Sequence, residues 1–160
     1  MSSSALGRPA YQPRWPVAVY WVPTLLWLGV IAWFSTDTFS AEHTGHILAR
    51  ILHFLVGDVS RLTFQHIHFL VRKSAHFFSY GLLSVFSFFA WRATLPVSRA
   101  WVARWSILAV LLTLAAGCAD EFHQSFLPSR TSSLRDVGID VAGAIFMQLV
   151  IAVVLRHRSD

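Results

Sequence analysis

Long runs without a charged residue constrain this sequence more than any other feature. The first run, VAVYWVPTLLWLGVIAWF at 17–34, holds eighteen residues and no Asp, Glu, Lys or Arg. At about 1.5 Å of rise per residue, a helix of that length covers most of a bilayer's hydrocarbon core, which is about 30 Å thick. We therefore expect an uncleaved membrane helix. The alternative is a cleaved signal peptide, but such peptides have a shorter apolar core and a small-residue cleavage site.

Three further apolar runs predict membrane helices at 75–91, 105–119 and 137–155. The run at 105–119 is short for a span, so we expect its helix to continue into polar sequence at one end. With 55% hydrophobic and 13% charged residues, the 160-residue chain carries too little charge for a soluble globule. The sequence predicts an all-α, polytopic membrane helical bundle of about four transmembrane helices.

The connection between the first two predicted spans, residues 35–74, is too long for a plain hairpin. Within it, HTGHILARILHFLVGDV at 43–59 places Ile, Leu and Val at helical spacing, with His and Arg on the rest of the turn. This pattern is typical of an amphipathic helix at a membrane surface. We expect an outer helix here, which either lies on the outer leaflet or caps the bundle.

The placement of arginine and lysine predicts the orientation. The two terminal segments and the loop between the second and third spans hold seven Lys or Arg and one acid. The segments on the other side hold six Lys or Arg and seven acids. Basic residues concentrate in cytoplasmic loops. We predict a multi-pass plasma (inner) membrane protein with a cytoplasmic segment at 1–16, a transmembrane domain at 17–155 and a cytoplasmic tail at 156–160. The net charge of +5 thus indicates orientation, and no nucleic-acid partner is expected.

Polar residues within the spans gather at the predicted outer end. Along the second span they recur at steps of three and four, and so share one helical face: Lys73, His76, Tyr80, Ser84 and Ser87. The end of the third span and the start of the fourth add further polar residues: Asp120, Glu121, Gln124, Asp136 and Asp140. Polar groups that face lipid lack hydrogen-bond partners, so we expect these residues to face protein or a wet cavity.

A purely structural role is the main alternative for these charges. The carboxylates are the hardest to explain as packing, because an acid at the centre of a span costs about 2.5–3.5 kcal/mol. Lys73, Arg130 and Arg135 are the available counter-ions, and a salt-bridge cluster of these groups would pin the helices together. Arg72 is expected to extend its charge to the membrane interface.

No metal or other cofactor is expected. Five histidines precede the second span, but their spacing matches no recognised ligand set: His43, His46, His53, His66 and His68. The single cysteine, Cys118, excludes an internal disulfide and any multi-cysteine metal site.

Two segments, KSAHFFSYGLL at 73–83 and DEFHQSFLPSRTSSLRDVGIDVAG at 120–143, resemble the VanZ-like family. That family is named for an accessory membrane protein that lowers susceptibility to the glycopeptide teicoplanin. The matching positions are Lys73, His76, Tyr80, Asp120, Glu121, Gln124, Phe126, Arg130, Asp136 and Gly143. The resemblance covers roughly residues 29–154 and implies a multi-span membrane fold with a role in the cell envelope. One position departs, because family members usually carry Asn where this chain has Asp140.

The favoured hypothesis is a binding site for an anionic group of a membrane lipid, a lipid-linked wall precursor or a lipoglycopeptide. Arginine and lysine suit phosphate and carboxylate groups, and neighbouring acids orient them. The predicted ligand-binding residues are Lys73, His76, Tyr80, Glu121, Gln124, Arg130, Asp136 and Asp140. Binding at this outer pocket would lower susceptibility to teicoplanin-type antibiotics.

Two other functions stay open. The first is an enzyme that modifies a lipid head group, with His76, Asp120 and Glu121 as catalytic candidates. The second is a structural, assembly or transport component that works with a membrane-protein partner or as a homo-oligomer. Four short spans without a repeat are few for a transporter working alone.

Overall fold

Five helices account for most of the chain. The computed structural model describes residues 12–36, 41–97, 101–128 and 132–157. These residues form five α-helices and no β-strand, and the helices are α1 (Val17–Phe34), α2 (Ala41–Val56), α3 (Arg61–Thr94), α4 (Ala103–Gln124) and α5 (Leu134–His157). The predicted all-α fold is confirmed.

Three of the helices, α1, α4 and α5, are long and apolar enough to cross a membrane. α4 runs on past the apolar segment 105–119 into polar sequence, as expected for a run of that length. The second predicted span, 75–91, is the later part of the 34-residue helix α3. α3 is not among the three helices that meet both the length and the apolarity of a membrane span in the described residues. The protein is therefore a helical membrane protein, and the fourth span stays a prediction.

α3 is the central helix of the bundle and contacts α1, α4 and α5. At about 1.5 Å per residue it is roughly 50 Å long, which exceeds the hydrocarbon thickness of a bilayer. Buried apolar side chains form two clusters along it, of which one joins Ile31, Tyr80 and Leu83 and the other joins Phe88, Trp105 and Ala109. The first half of α3, before residue 75, carries little of this core.

Polar residues of α3 and α5 pair at a nearly constant separation in sequence. The three pairs are Lys73 with Asp136, His76 with Asp140, and Ser84 with Gln148. A constant separation of this kind means that the two helices run parallel and in register. At the third pair, Gln148 Nε2 donates to Ser84 Oγ at 2.8 Å. A hydrogen bond between helices of this kind suits buried polar groups in a membrane bundle.

Glycines let α3 and α5 meet at backbone contact. A Cβ placed on Gly143 would lie 2.1 Å from the carbonyl oxygen of Phe77, and one on Gly81 would lie 3.1 Å from the carbonyl oxygen of Gly143. On α4, a Cβ at Gly117 would lie 3.1 Å from Asp140 Oδ2. Small residues at membrane helix crossings permit this approach. The glycines thereby bring the polar residues of three helices within reach of one another.

The predicted amphipathic helix forms as α2 and contacts α3. Its side chains Ile47, Ile51 and Phe54 are exposed, and so is Arg50. Leu48 is instead half-buried on the side that meets the bundle. One face of α2 thus covers the bundle while the other presents apolar side chains outward, which suits contact with lipid.

We predict that Gly143→Ala destabilises the protein, because the added methyl group meets the backbone of Phe77 and the two helices have to separate. The expected loss is at least about 1–3 kcal/mol of unfolding free energy, typical of overpacking. Thermal unfolding of the purified protein in detergent measures it.

Gly138→Ala is the matched control, since a Cβ at this position of the same helix meets nothing within 4 Å. It should leave the melting temperature unchanged or raise it, because alanine favours a helix by up to about 1 kcal/mol over glycine. Equal melting temperatures for the two variants would contradict backbone contact between α3 and α5.

Candidate functional site

A cavity of about 310 Å³ lies between α1, α2, α3 and α4, at the end of the bundle where the polar stripe of α3 begins. Much of its wall is apolar, and these residues are Val30, Ile31, Phe34, Leu48, Val71 and Ala75. The polar part of the wall consists of Ser35, Thr44, His68, Arg72, His76, Ser79, Tyr80, Asp120 and Gln124. Pockets for small ligands start at about this volume and share this mixture of apolar wall and few polar groups.

Four residues of α3 at steps of four form one side of the cavity: His68, Arg72, His76 and Tyr80. Residues four apart lie on the same face of a helix, and twelve residues extend about 18 Å along it. The sequence interpretation found only the neighbouring stripe that starts at Lys73. The four-residue spacing of His68, Arg72 and His76 was the signal that could have identified the cavity side.

Arg72 is the permanent cation of this cavity. It forms no ion pair with a carboxylate in the part of the chain that the structure describes. His68, which precedes the predicted span at 75–91, hydrogen-bonds Thr44 Oγ1 through Nε2 at 3.3 Å. Burial, and then the positive charge of Arg72, lower the pKa of His68 from its ordinary value of 6.5, so His68 is neutral at pH 7. The sequence placed Arg72 at the membrane interface and did not predict that it lines the cavity.

His76 is held from behind by Asp140. Its Nδ1 is hydrogen-bonded to Asp140 Oδ1 at 3.1 Å. Asp140 is fully buried, in the space that Gly117 leaves, and the ring of Tyr80 stacks beside the imidazole with centroids 6.1 Å apart. His76 thus lines the cavity while its Nδ1 is held by Asp140. Asp140 positions it without lining the cavity.

Lys73 does not line the cavity, although it is next to Arg72 in the chain. Its Nζ forms an ion pair with Oδ1 of Asp136, which is buried in the first turn of α5. A carboxylate in that turn is stabilised by the helix dipole as well as by Lys73. This pair joins α3 to α5, so the predicted ligand residues Lys73 and Asp136 contact each other, outside the cavity wall.

The acidic pair at the end of α4 divides between two roles. Glu121 is buried, and its Oε2 accepts from the backbone N–H of Ser133 at 2.6 Å, which ties the end of α4 to the start of α5. Asp120 instead lines the cavity, and its Oδ2 accepts from Gln124 Nε2 at 2.9 Å. Gln124 also donates to Ser35 Oγ at 3.3 Å and so connects α4 with the end of α1.

The structure therefore separates the predicted site residues into two groups. His76, Tyr80, Gln124 and Asp120 line the cavity, whereas four others lie behind its wall: Lys73, Glu121, Asp136 and Asp140. Arg130 lies outside the described residues. Within the described ranges, no group of three His, Cys, Asp or Glu side chains is arranged to hold a metal ion. The described cavity offers one arginine, one carboxylate and an oriented imidazole beside an apolar wall, a combination that suits an amphiphile with a charged head.

A comparison with protein families supports the resemblance found in the sequence. The family model described as VanZ/LLP1 matches residues 20–155, which is most of the chain. The match includes both motif segments and all five helices except the ends of α1 and α5. No curated protein and no solved structure matches the chain.

Replacement of Lys73 tests whether the Lys73–Asp136 pair is structural. Lys73→Met leaves the buried Asp136 carboxylate without its cation, and loss of one partner of such a pair costs about 3 kcal/mol. We expect a clear fall in the melting temperature in detergent. The double variant Lys73→Met/Asp136→Leu should recover most of the loss, because it removes both charges together.

The control for this cycle is Arg61→Met, at an exposed position in the first turn of the same helix. It should melt like the unaltered protein. If Lys73→Met alone has no effect on the melting temperature, the pair does not hold α3 against α5.

Proposed function

Since the chain belongs to the VanZ/LLP1 family, whose members are membrane proteins linked to glycopeptide resistance, we propose a binding function for its cavity. The cavity binds the anionic head of an amphiphile, and this binding lowers susceptibility to teicoplanin-type antibiotics. The amphiphile is a membrane lipid, a lipid-linked wall precursor or a lipoglycopeptide. These molecules share an apolar chain and a phosphate or carboxylate group, and the cavity has a matching part for each.

The observation that carries the proposal is Arg72 in the cavity wall without a carboxylate partner among the described residues. Arg72 is half-buried, and a bound anion supplies the counter-charge that stabilises a partly desolvated cation. The arginine fork forms two parallel hydrogen bonds with a phosphate or carboxylate. Nε2 of His76, one turn further along α3, is the second group available to the same head.

The size of the cavity supports a ligand that stays anchored in the membrane. About 310 Å³ is the lower end of the range for small-ligand pockets, so it holds a head group and the first part of a chain. The apolar wall from α1 and α3, with Val30, Phe34 and Val71, lies beside the charged residues. The rest of the chain then extends from the cavity into the surrounding lipid.

We place this cavity at the outer face of the plasma membrane, with both termini in the cytoplasm. The placement depends on the distribution of basic residues and on α3 as a fourth span through residues 75–91. In that arrangement α2 and the first half of α3 lie at the outer surface, where wall precursors and glycopeptides meet. If the cavity binds either the acylated antibiotic or its lipid-linked target, less of the antibiotic–target complex forms, by mass action.

Chemistry on the bound head group is a second candidate, favoured by the bond between His76 and Asp140. A carboxylate on Nδ1 fixes the imidazole so that Nε2 can take a proton from a water or a head-group hydroxyl. Asp120 is the remaining catalytic candidate in the cavity, because Glu121 is turned to the backbone of Ser133.

Replacement of Arg72 tests the binding proposal. Cells that produce the unaltered chain should tolerate more teicoplanin, which carries an acyl chain, with little change for vancomycin, which carries none. Arg72→Gln should lose most of this protection, because loss of a charge-assisted pair weakens binding about tenfold or more. The measurement is the minimum inhibitory concentration at equal membrane abundance of each variant.

Arg61→Gln, a surface arginine of the same helix, is the matched control and should protect fully. Arg130→Gln tests, in the same assay, the predicted pocket cation that lies outside the described residues. Full protection by Arg72→Gln would refute binding through this cavity.

The catalytic candidate predicts a change in the chemical composition of the envelope. Mass spectrometry of lipids and wall precursors should reveal a species that depends on the chain and disappears with His76→Gln. Asp140→Asn keeps the shape behind the imidazole but removes the charge, and should reduce that species strongly. Identical profiles for cells with the unaltered chain and with His76→Gln would eliminate catalysis while leaving binding open.

A further inference from the structure

The cavity holds a carboxylate as well as an arginine. Asp120 lines it from α4, and its Oδ2 accepts from the neutral amide of Gln124 at 2.9 Å. In the described part of the chain, no lysine or arginine forms an ion pair with Asp120. A ligand with an anionic group alone would leave this carboxylate without a counter-charge.

Asp120 and Arg72 line one cavity from two helices without pairing with each other. Elsewhere at this end of the bundle, Asp136 pairs with Lys73, Asp140 pairs with His76, and Glu121 accepts from the backbone N–H of Ser133. Two opposite charges that face the same small space, and do not neutralise each other, suit a ligand that carries both signs.

We propose that the cavity selects a zwitterionic head group, in which a phosphate binds Arg72 and a primary ammonium binds Asp120. This inference rests on the binding function proposed above and names its ligand class, an amphiphile with a phosphate–ammonium head such as phosphoethanolamine. The positions of the two charges on α3 and α4 give the head group a direction within the cavity.

The groups around Asp120 favour a primary ammonium over a quaternary one. A carboxylate is an acceptor and needs N–H donors to form strong, short bonds. A choline head has no N–H to donate, and a glycerol head has no positive charge. Both should therefore bind more weakly than an ethanolamine head on the same acyl chains.

The test is a binding titration on the purified full chain in detergent, measured by microscale thermophoresis. The probes are dioctanoyl phosphatidylethanolamine, phosphatidylglycerol and phosphatidylcholine, which differ only in the head group. We expect the ethanolamine lipid to bind about tenfold more tightly than either of the others, as one additional charge-assisted pair provides. Free phosphoethanolamine, without chains, should bind far more weakly if the ligand is an amphiphile, and equally well if a soluble zwitterion is the ligand.

Two substitutions assign the charges. Asp120→Asn should abolish the preference for ethanolamine and leave the affinity for phosphatidylglycerol unchanged or higher, whereas Arg72→Gln should weaken binding of both lipids. Asp58→Asn, at an exposed carboxylate outside the cavity, is the control and should keep the full preference. Asp120→Glu retains the charge and should keep the preference, which separates a charge effect from misfolding.

The outcomes separate this inference from the function on which it rests. If phosphatidylglycerol binds as well as phosphatidylethanolamine and the binding depends on Arg72, the cavity is an anion site and the zwitterion inference is wrong. If no probe binds, with or without acyl chains, the zwitterion inference is wrong, and the binding function is then decided by the teicoplanin assay of Arg72→Gln. A preference for ethanolamine that survives Asp120→Asn also overturns the assignment.

Discussion

The backbone contact between α3 and α5 is the constraint on which the other features of this bundle depend. Gly143 brings α5 against the carbonyl of Phe77, and the parallel register then aligns the polar pairs of the two helices. In a membrane, these polar groups have no water to return to, so the pairs must form within the protein. The contact thus fixes which charges at this end of the bundle pair with neighbours and which line the cavity.

The polar residues that pair with each other are ones that the helical spacing within the spans already singles out. Lys73 and Asp136 bind each other, and Asp140 supports His76 from a fully buried position. The cavity beside them keeps Arg72 and Asp120, which find no ionic partner in the described chain. The cluster therefore has two parts. The paired charges hold the helices together, and the charges in the cavity suit a charged ligand.

Much of the fold could be predicted from the sequence, because charge-free runs and helical periodicity are local properties. The helices at 17–34 and 137–155, the amphipathic α2 and the extension of the third span followed from them. Which polar residues line the cavity could not be predicted in the same way. Lys73 and Arg72 are adjacent, and only the rotation of α3, set by its glycine contact with α5, decides which of them meets the cavity. The buried support of His76 by Asp140 likewise depends on the approach of three helices, which no single segment encodes.

The central claim is that Arg72 binds the anionic head of an amphiphile in the cavity between α1, α2, α3 and α4. A structure of the full chain in nanodiscs of native-like phospholipid tests it most directly. The claim predicts density for a head group in the cavity, with phosphate oxygens about 3 Å from the guanidinium of Arg72, as in a charge-assisted hydrogen bond. A cavity filled by the protein's own side chains, with Arg72 paired to a carboxylate of the chain, would contradict it.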